Sequence, residues 1–260
     1  MKLSIIIVSY NTKSLTLACI KSIYSCKPNL LFEVIVVDNA STDGSVEALQ
    51  KLDEKIVYIK SDRNLGFSKA NNLGLKKAKG EYKLLLNSDT KLTTPIFEKL
   101  VLFAQEHPDA GIVSPRLLNL DMTTQGSIFR LPTLTRAIAQ YWFGVPNLLD
   151  KYAITKGSFV EVESVVGAAF LITPQAQTKV GLLDEKYFMY FEDLDYCRRV
   201  RSQHLKIYYL PEITLIHHHG ASGKSGVNSL IVDSSKKYFG IIQYYIYTFV
   251  LWSGQKLHHI

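Results

Sequence analysis

The chain has 260 residues, of which 47% are apolar and 20% are charged, with 15 glycines and 8 prolines. This length and balance are typical of one folded domain with a modest extension, and they exclude a disordered chain, a collagen-like chain and a small disulfide-stapled peptide. Thirty Lys and Arg against 23 Asp and Glu leave a formal net charge of +7. The charge favours anionic partners such as nucleotides, phosphorylated substrates, nucleic acid or acidic lipid, and does not choose among them.

The cysteines and the amino terminus both bear on the compartment. Cys19, Cys26 and Cys197 are scattered and include no C-x-x-C pair, which predicts small buried side chains in a reducing compartment rather than a disulfide framework or a thiolate metal site. The apolar run at residues 3–8 stops at Ser9 and is too short for the core of a signal peptide. We therefore expect no export.

The first half of the chain alternates predicted strands and helices. Strands are predicted at residues 3–8, 32–38, 55–60 and 82–86. Helices are predicted from an N-cap at Thr12 to about residue 25, after the turn 41–44, and over 67–78 with its end at Gly80. Runs such as IIIV and VIVV, apolar on both faces, are typical of a parallel sheet covered by helices on each side. The first 115 residues therefore predict an open, doubly wound α/β sheet whose ligands lie beyond the carboxyl ends of the strands.

The second half is less regular. Glycines, prolines and turn-forming residues interrupt residues 116–161, which predict a loop-rich insertion over the site. Beyond it we expect strand structure at 165–172 and helices at 174–180 and 192–203. Two strands at 206–209 and 212–216 are then expected to end in three histidines. No internal repeat occurs, which argues against a solenoid.

Residues 238–255 form a stretch of 18 residues without a charge, flanked by Lys236, Lys237 and Lys256. The length reaches the threshold for a membrane span, but tyrosines and glutamines make the stretch a poor one. Its aromatic side chains and basic flanks fit the interface of a membrane, and a helix packed on the domain fits as well. Both alternatives stay open from the sequence.

Polar side chains stand at the predicted carboxyl ends of several strands. Asp38 ends an apolar strand, where a carboxylate is costly unless it meets donors such as the base N–H or ribose hydroxyls of a nucleotide. The alternative is a helix cap, which Ser41 or Asp43 could also supply. Asp89, with Ser88 before it, follows another hydrophobic strand, and its carboxylate suits a hard divalent ion that bridges to substrate phosphates. A plain Asn/Asp turn is the alternative there.

Three further segments contain side chains that could bind a ligand or take part in catalysis. The segment RNLGFSKANN, which begins at Arg63, combines a glycine turn, a helix start and a cation that can hold a diphosphate, although no P-loop or G-x-G-x-x-G pattern occurs. Glu192 and Asp193 begin a helix after the aromatic run YFMYF. Either they complement the helix dipole, or one of them is desolvated beside the rings and accepts a proton. His217, His218 and His219 follow the last predicted strand, and the neutral imidazole of one of them beside Asp89 would complete a site for Mg2+ or Mn2+. The alternative, for at least two of the three, is a surface histidine without a role.

Taken together, these segments resemble glycosyltransferase family 2, the inverting enzymes of the GT-A fold, and in particular its bacterial rhamnosyltransferase-like branch. The resemblance covers about residues 3–222. Its most specific motifs are VSYN, VVDNASTDGS, NLGFSKANNLG, LLLNSDT, GAAFLI and LLDEKYFMYFEDLDYCRRV followed by HHHGAS. It implies one GT-A catalytic domain over residues 1–225, with a nucleotide-binding half to about 115 and an acceptor-binding half over 116–225. Residues 226–260 would then form an aromatic and basic helical extension.

The resemblance also implies roles for matching positions. Asp89 matches the last acid of the family's D-x-D motif, whose first position is Asn87 here, and would hold Mg2+ or Mn2+ together with His217. Asp193 would be the general base, with Glu192 orienting the acceptor. The residues implied to lie around the nucleotide are Ser9, Asn11, Asp38, Arg63, Asn64 and Ser88.

The implied activity is inverting transfer of a sugar from a dTDP-rhamnose or UDP-hexose type of donor to a saccharide or lipid-linked saccharide in cell-surface polysaccharide synthesis. The rival is a non-catalytic nucleotide- or carbohydrate-binding protein on the same scaffold. Loss of Asp89 or Asp193 would indicate the rival, and both residues are present. No nucleic-acid recognition motif accompanies the basic charge, so we expect no nucleic-acid partner. We expect a cytoplasmic protein, with residues 236–256 as the candidate for peripheral contact with the inner face of the cell membrane.

Overall fold

The protein folds as a mixed sheet flanked by helices, and its computed structural model describes residues 1–218 and 227–258. The strands are β1 (Leu3–Ser9), β2 (Phe32–Asp38), β3 (Ile56–Lys60), β4 (Tyr82–Leu86), β5 (Thr90–Lys91), β6 (Ala110–Leu118), β7 (Ile128–Phe129), β8 (Val160–Val162), β9 (Ser164–Val165), β10 (Ala169–Ile172) and β11 (Lys206–His217). The helices are α1 (Lys13–Ser25), α2 (Ser45–Gln50), α3 (Gly66–Lys77), α4 (Phe97–Glu106), α5 (Leu134–Phe143), α6 (Pro174–Val180), α7 (Glu192–Ser202), α8 (Val227–Phe239) and α9 (Ile241–His258).

The main sheet of the described chain has the strand order β3-β2-β1-β4-β10-β6-β11-β5, with β8 paired to β11. Strands β1 to β4 are mutually parallel, and β10 runs antiparallel between β4 and β6. The register places Ser9 at the end of β1 directly opposite Asp38 at the end of β2. Because parallel strands end at one edge of a sheet, the loops after β1, β2 and β4 share a single site, as the sequence predicts.

Helices cover both faces of the parallel strands. On one face Ile5 and Ile7 of β1 belong to a buried cluster with Ile20 of α1. On the other face Ile6 packs with Ala70 of α3 in a second cluster. Strand β1 is therefore apolar on both sides, and each fully buried isoleucine stabilises the fold by about 1.5–3 kcal/mol. The predicted α/β class with a mostly parallel, doubly covered sheet is confirmed.

The start of α1 and the end of α3 are not set by the local caps that the sequence predicts. Thr12 stands at the N-cap of α1, yet its side chain makes no capping bond. The backbone N–H of Lys13 instead donates to Oδ2 of Asp43 at 2.8 Å, from the loop after β2. Helix α3 ends at Lys77, before Gly80, whose N–H donates to the Ser4 hydroxyl at 2.7 Å. Contacts between segments, rather than local caps, therefore set these boundaries.

The prediction of a loop-rich insertion over residues 116–161 is wrong in part. Strand β6 runs to Leu118, and the segment also contains β7, most of β8 and the helix α5. Thr133 caps α5 by accepting from the N–H of Arg136 at 3.2 Å, and Gly144 ends it with a left-handed φ of 68°. Pro132 and Gly144, which suggested loop, are thus the boundaries of a helix, as proline before and glycine after a helix commonly are.

Two later predictions also change. Residues 165–172 form two short strands, β9 and β10, rather than one. Residues 206–217 form the single strand β11, whose register against β6 shifts between Leu210 and Thr214. The break around Pro211 that suggested two strands is therefore a bulge, which is where a sheet tolerates proline.

The uncharged stretch near the carboxyl terminus spans the end of α8 and most of α9. No helix in the described ranges is both long enough and apolar enough to cross a membrane. Part of α9 packs on α5: the indole N–H of Trp142 donates to the Val250 carbonyl at 3.0 Å. Gly254 makes the contact close, since a Cβ there would lie 2.5 Å from the Tyr141 carbonyl oxygen.

Candidate functional site

Asp38 lies fully buried at the end of β2. One carboxylate oxygen, Oδ2, accepts from the N–H of Ser41 at 3.1 Å. The other, Oδ1, is buried without a hydrogen-bond partner among the described residues, and so is the hydroxyl of Tyr58 on β3. Burial raises the pKa of Tyr58, and the charge of Asp38 raises it further. A buried carboxylate oxygen is costly to leave unpaired, so this arrangement fits an oxygen reserved for a donor that arrives with a ligand.

A cluster of hydroxyl groups lies beneath the strand ends. The Ser9 hydroxyl is 2.9 Å from that of Thr16, and the Thr12 hydroxyl is 3.1 Å from those of Thr16 and Ser88. Ser9 is completely buried. Its side chain therefore supports the loop after β4 through Thr12 and Ser88, and does not line an open pocket.

Asn11 ties the loop after β1 to the loop after β2. Its side-chain oxygen accepts from the N–H of Thr42 at 2.8 Å, and its own N–H donates to the Ser41 hydroxyl at 3.0 Å. Its backbone is left-handed, with a φ of 52°, a conformation that asparagine tolerates better than most residues. Asn11 thus shapes the wall around Asp38.

Asn64 and Asn39 form an amide pair that holds the start of α3. Asn39 donates to Oδ1 of Asn64 at 2.9 Å, and this oxygen also accepts from the N–H of Gly66 at 2.9 Å. Oδ1 of Asn39 accepts from the N–H of Leu65 at 2.8 Å. The neighbouring Arg63 is exposed. Asn64 therefore builds the loop, and the Arg63 guanidinium is a cation exposed at this end of the sheet.

The imidazole of His217 is held between two amides and a carboxylate. Nδ1 lies 2.7 Å from Oε1 of Gln125, which can only accept, so Nδ1 carries the hydrogen. Nε2 lies 3.3 Å from Oδ1 of Asp89 and 3.4 Å from Nδ2 of Asn87. Gln125 is itself oriented by donating to Oδ1 of Asn119 at 3.0 Å. Nε2 and the Asp89 oxygen, which are both atoms that can ligate a metal, thus face one another, with the Asn87 amide beside them.

The Asp89 and His217 pair fits a divalent ion that arrives with a diphosphate. A carboxylate oxygen and an imidazole nitrogen suit Mg2+ or Mn2+, which take remaining ligands from phosphates and water. Across residues 1–218 and 227–258, no group of three or more His, Cys, Asp or Glu side chains is arranged to hold a metal. The described residues would therefore supply only part of the coordination shell. His219 and the GAS motif that follows it lie outside the described residues.

Glu192, which is buried, and Asp193, which is half-buried, form a carboxyl pair at the start of α7. Glu192 lines a small cavity with Phe67 and Leu183, and its Oε2 atom has no hydrogen-bond partner among the described residues. Burial raises the pKa of Glu192 well above its ordinary value, and the charge of Asp193 raises it further. Asp193 accepts from the N–H groups of Leu194 at 2.8 Å and of Gly167 at 3.2 Å. Burial raises the pKa of Asp193 despite these bonds, which suits proton exchange.

The aromatic run before α7 positions this pair. Tyr190 and Phe191 both have a left-handed backbone, with φ values of 70° and 68°. Such strain in consecutive non-glycine residues is typical of functional sites. The carbonyl of Phe188 accepts from the N–H of Phe67 at 2.6 Å, and a Cβ on Gly66 would lie 2.3 Å from that carbonyl oxygen. The start of α3 is thereby locked to the turn that presents the carboxyl pair.

The structure brings the predicted residues to one edge of the sheet. Asp193 bonds to the N–H of Gly167, and the next carbonyl, of Ala168, accepts from the N–H of Asn87 at 2.9 Å. The N–H of His218 donates to the Asp89 carbonyl at 2.8 Å. Sequence reasoning had placed Thr12 at an N-cap, and Asn39 and Gly167 within motifs, without giving them a role in orienting the site. It missed Gln125, which only its side-chain amide marked.

The fold is the GT-A fold of glycosyltransferases. The chain belongs to glycosyl transferase family 2, whose sequence model matches residues 4–161. The resemblance noted from the motifs is confirmed, and it places the chain among glycosyltransferases. The model's match ends before α7 and β11, so the Glu192 and Asp193 pair and His217 lie beyond it.

Relatives and a solved structure agree with this placement. The low-salt glycan biosynthesis hexosyltransferase Agl10 of Haloferax volcanii is 29% identical over 226 residues, covering 83% of this chain and 66% of that protein, slightly less than two thirds of its length. The N-acetylglucosaminyl-diphospho-decaprenol L-rhamnosyltransferase of Mycobacterium tuberculosis is 25% identical, covering 79% of this chain and 73% of that protein. The structure of GalNAc-T7 with UDP, GalNAc and Mn2+ superposes with a TM-score of 0.65 at 15% identity, covering 89% of this chain and 46% of that one, which shows a shared GT-A fold.

Proposed function

We propose that the protein transfers a hexosyl or rhamnosyl group, with inversion at the anomeric carbon, from a nucleotide-diphosphate sugar to a hydroxyl of a saccharide or lipid-linked saccharide in cell-surface polysaccharide synthesis. One observation carries the proposal. Three chemically different groups lie at one edge of the sheet: the Asp38 oxygen that has no partner among the described residues, the Asp89 and His217 pair, and the Glu192 and Asp193 pair. Base or ribose recognition, diphosphate binding and proton removal need these three kinds of group.

Each group has a defined task in the proposed reaction. The free oxygen of Asp38 accepts a hydrogen bond from the base or ribose of the donor, and Arg63 faces the negative charge of the diphosphate. Asp193 removes the proton of the acceptor hydroxyl as that oxygen attacks the anomeric carbon from the face opposite the leaving group. The bond to the nucleoside diphosphate breaks as the new glycosidic bond forms, so no covalent enzyme intermediate is needed. Glu192 orients the acceptor beside Asp193.

Asp89 and His217 are the residues that would hold a divalent metal. When bound, such an ion neutralises negative charge on the departing diphosphate. Gln125 keeps the Nε2 atom of His217 available as a ligand by accepting the hydrogen of Nδ1. The Mn2+ in the GalNAc-T7 structure supports a divalent ion in this fold.

The names of the relatives support the substrate classes. One relative is a hexosyltransferase of glycan biosynthesis, and another is a rhamnosyltransferase whose name gives a diphospho-decaprenol acceptor. The UDP in the GalNAc-T7 structure supports a nucleoside diphosphate in the cleft. We therefore propose dTDP-rhamnose or a UDP-hexose as donor.

Thermal unfolding of the protein with UDP, dTDP and their sugar conjugates, each with and without Mn2+, tests donor binding. A ligand at 100 times its Kd stabilises the folded state by about 2.7 kcal/mol, which raises the Tm by about 5–10 °C. A shift that depends on Mn2+ and disappears in Asp89→Ala supports the proposal. Full Mn2+-dependent transfer by Asp89→Ala would remove that residue from the metal site.

Substitutions of the two carboxyl groups of α7 distinguish an enzyme from a non-catalytic binding protein. Asp193→Asn should keep donor binding and lower transfer by about two to four orders of magnitude, the usual contribution of a general base. Glu192→Gln should raise the KM for the acceptor at least as much as it lowers kcat. Nucleotide binding with no transfer to any saccharide acceptor by the wild-type protein would favour the non-catalytic alternative. A dead Glu192→Gln beside a near-normal Asp193→Asn would exchange the two roles.

A further inference from the structure

Helix α9 presents one face to α5 and another to solvent. Val250 and Gly254 lie on the packed face, against Trp142 and Tyr141. On the opposite side large apolar side chains recur at helical spacing and are between 46% and 74% exposed. These side chains are Ile241, Ile242, Tyr245, Ile246, Phe249, Trp252 and Leu257.

The end of α5 extends this exposed surface. The indole of Trp142 bonds to the backbone and a side chain of α9 while its ring remains 38% exposed, and the adjacent Phe143 is 75% exposed. We call the seven α9 side chains together with Trp142 and Phe143 the apolar platform. Isolated apolar side chains on a protein surface are ordinary, but nine large ones on two packed helices mark an interaction surface.

The charges around the apolar platform are basic. No Asp or Glu occurs after Asp233, whereas Lys236, Lys237 and Lys256 flank the uncharged stretch. The Lys256 ammonium lies 4.4 Å from the centroid of the Trp252 ring, and that of Lys236 lies 5.5 Å from the ring of Tyr244. Aromatic and aliphatic side chains bordered by lysines are complementary to the interfacial layer of a membrane that contains anionic lipid.

We propose that the apolar platform lies on the surface of an anionic lipid bilayer. No described helix can cross a membrane, so α9 and the end of α5 rest in the interface, parallel to its plane. One side of α9 thus packs on α5, and its other side faces the lipid. Under this proposal, residues 238–255 both pack on the domain and contact the membrane interface.

A layer of aromatic rings connects the apolar platform to the carboxyl pair. Phe191, at the N-cap of α7, lies 5.3 Å from the ring of Tyr238, which lies 5.1 Å from that of Phe239. Phe239 stacks on Tyr247 of α9 at 4.5 Å. This link rests on the proposed function, because it assigns the platform the task of bringing a lipid-linked acceptor to Asp193.

Co-sedimentation of the full chain with phosphatidylglycerol-containing vesicles and with pure phosphatidylcholine vesicles tests the surface. We expect binding to the anionic vesicles. The double variant Ile242→Asp/Phe249→Asp should lower the partition coefficient by at least about tenfold, because two large apolar side chains leave the interface. Leu102→Asp on α4, which replaces another exposed apolar side chain, is the matched control and should bind as wild type. Circular dichroism and thermal unfolding verify that each variant is folded.

Three outcomes would overturn the membrane surface. The first is that the wild-type chain does not bind anionic vesicles, and the second is that Leu102→Asp loses as much vesicle binding as the double variant. The third is that the double variant binds vesicles as wild type does, while light scattering shows a dimer for the wild type and a monomer for the double variant. The last outcome would assign the platform to a second copy of the chain. Nucleotide binding is measured in parallel on the same samples. Vesicle binding without nucleotide binding would retain the surface and refute the proposed function, and the reverse result would refute the surface alone.

Discussion

Replacing Asp38 by asparagine should move stability and nucleotide binding in opposite directions. The carboxylate is fully buried, and among the described residues only one of its oxygens has a hydrogen-bond partner, the N–H of Ser41. Asparagine keeps an oxygen for that N–H and removes the buried charge. It also replaces Oδ1, which can only accept a hydrogen bond, by an NH2 group, which can only donate one.

The magnitudes follow from those contacts. An unpaired buried polar group costs about 1–3 kcal/mol, and a charged one costs more, so Asp38→Asn should gain about 1 kcal/mol of unfolding free energy and about 2–4 °C in Tm. A hydrogen bond to a charged group contributes about 1.5–3 kcal/mol, so the Kd for the nucleotide should rise about ten- to a hundredfold. If the carboxylate only capped the loop after β2, the substitution would lower the stability and leave nucleotide binding unchanged.

Isothermal titration of UDP and dTDP, with thermal unfolding of the same samples, measures both effects. Asp43→Asn is the matched control, because Asp43 accepts from the N–H groups of Lys13 and Ser45 and so caps two helices. It should lose about 1 kcal/mol of stability and bind nucleotide nearly as wild type. If Asp38→Asn unfolds at lower temperature and binds both nucleotides unchanged, the carboxylate is a structural cap and the reasoning fails.

Three further changes test other parts of the site. Gly66→Ala should lower the free energy of unfolding by more than about 1 kcal/mol, because its φ is 78° and a Cβ would meet a backbone carbonyl at 2.3 Å. In urea unfolding Gly144→Ala, with φ 68° but open space around it, should lose less. Gln125→Leu should weaken Mn2+ binding, measured by electron paramagnetic resonance, about 10–100-fold. Gln125→Glu should restore it, and unchanged affinity in the leucine variant would contradict a role in orienting the imidazole. Burial raises the pKa of Glu192 above that of the unfolded chain, so the folded state holds the proton more tightly and wild-type stability falls as pH rises from about 4 through the raised pKa. Glu192→Gln should flatten that decline and be more stable than wild type at neutral pH, and parallel stability profiles for the two proteins would refute the raised pKa.

The sequence by itself determined the parallel half of the fold and the location of the site. Runs such as those of β1 and β2 are apolar on both faces, and only a sheet covered by helices on both sides buries them. Asp38 and Asp89 follow such runs, and since parallel strands end at one edge, their meeting at that edge is predictable from order along the chain. Local periodicity and strand ends are properties of neighbouring residues, so a sequence contains them.

The tertiary structure decided which side chains support the site and which face it. Ser9 and Asn64 were both expected at the nucleotide. The Ser9 hydroxyl instead bonds to that of Thr16, and Oδ1 of Asn64 accepts a hydrogen bond at the start of α3. Gln125, which orients His217, lies 92 positions away in sequence. Which face of α9 is exposed likewise depends on its packing against α5. The sequence did not predict α5, because the proline and the glycine at its two ends suggested a loop. These features arise from contacts between segments that are distant along the chain, and no local pattern records which segments will meet.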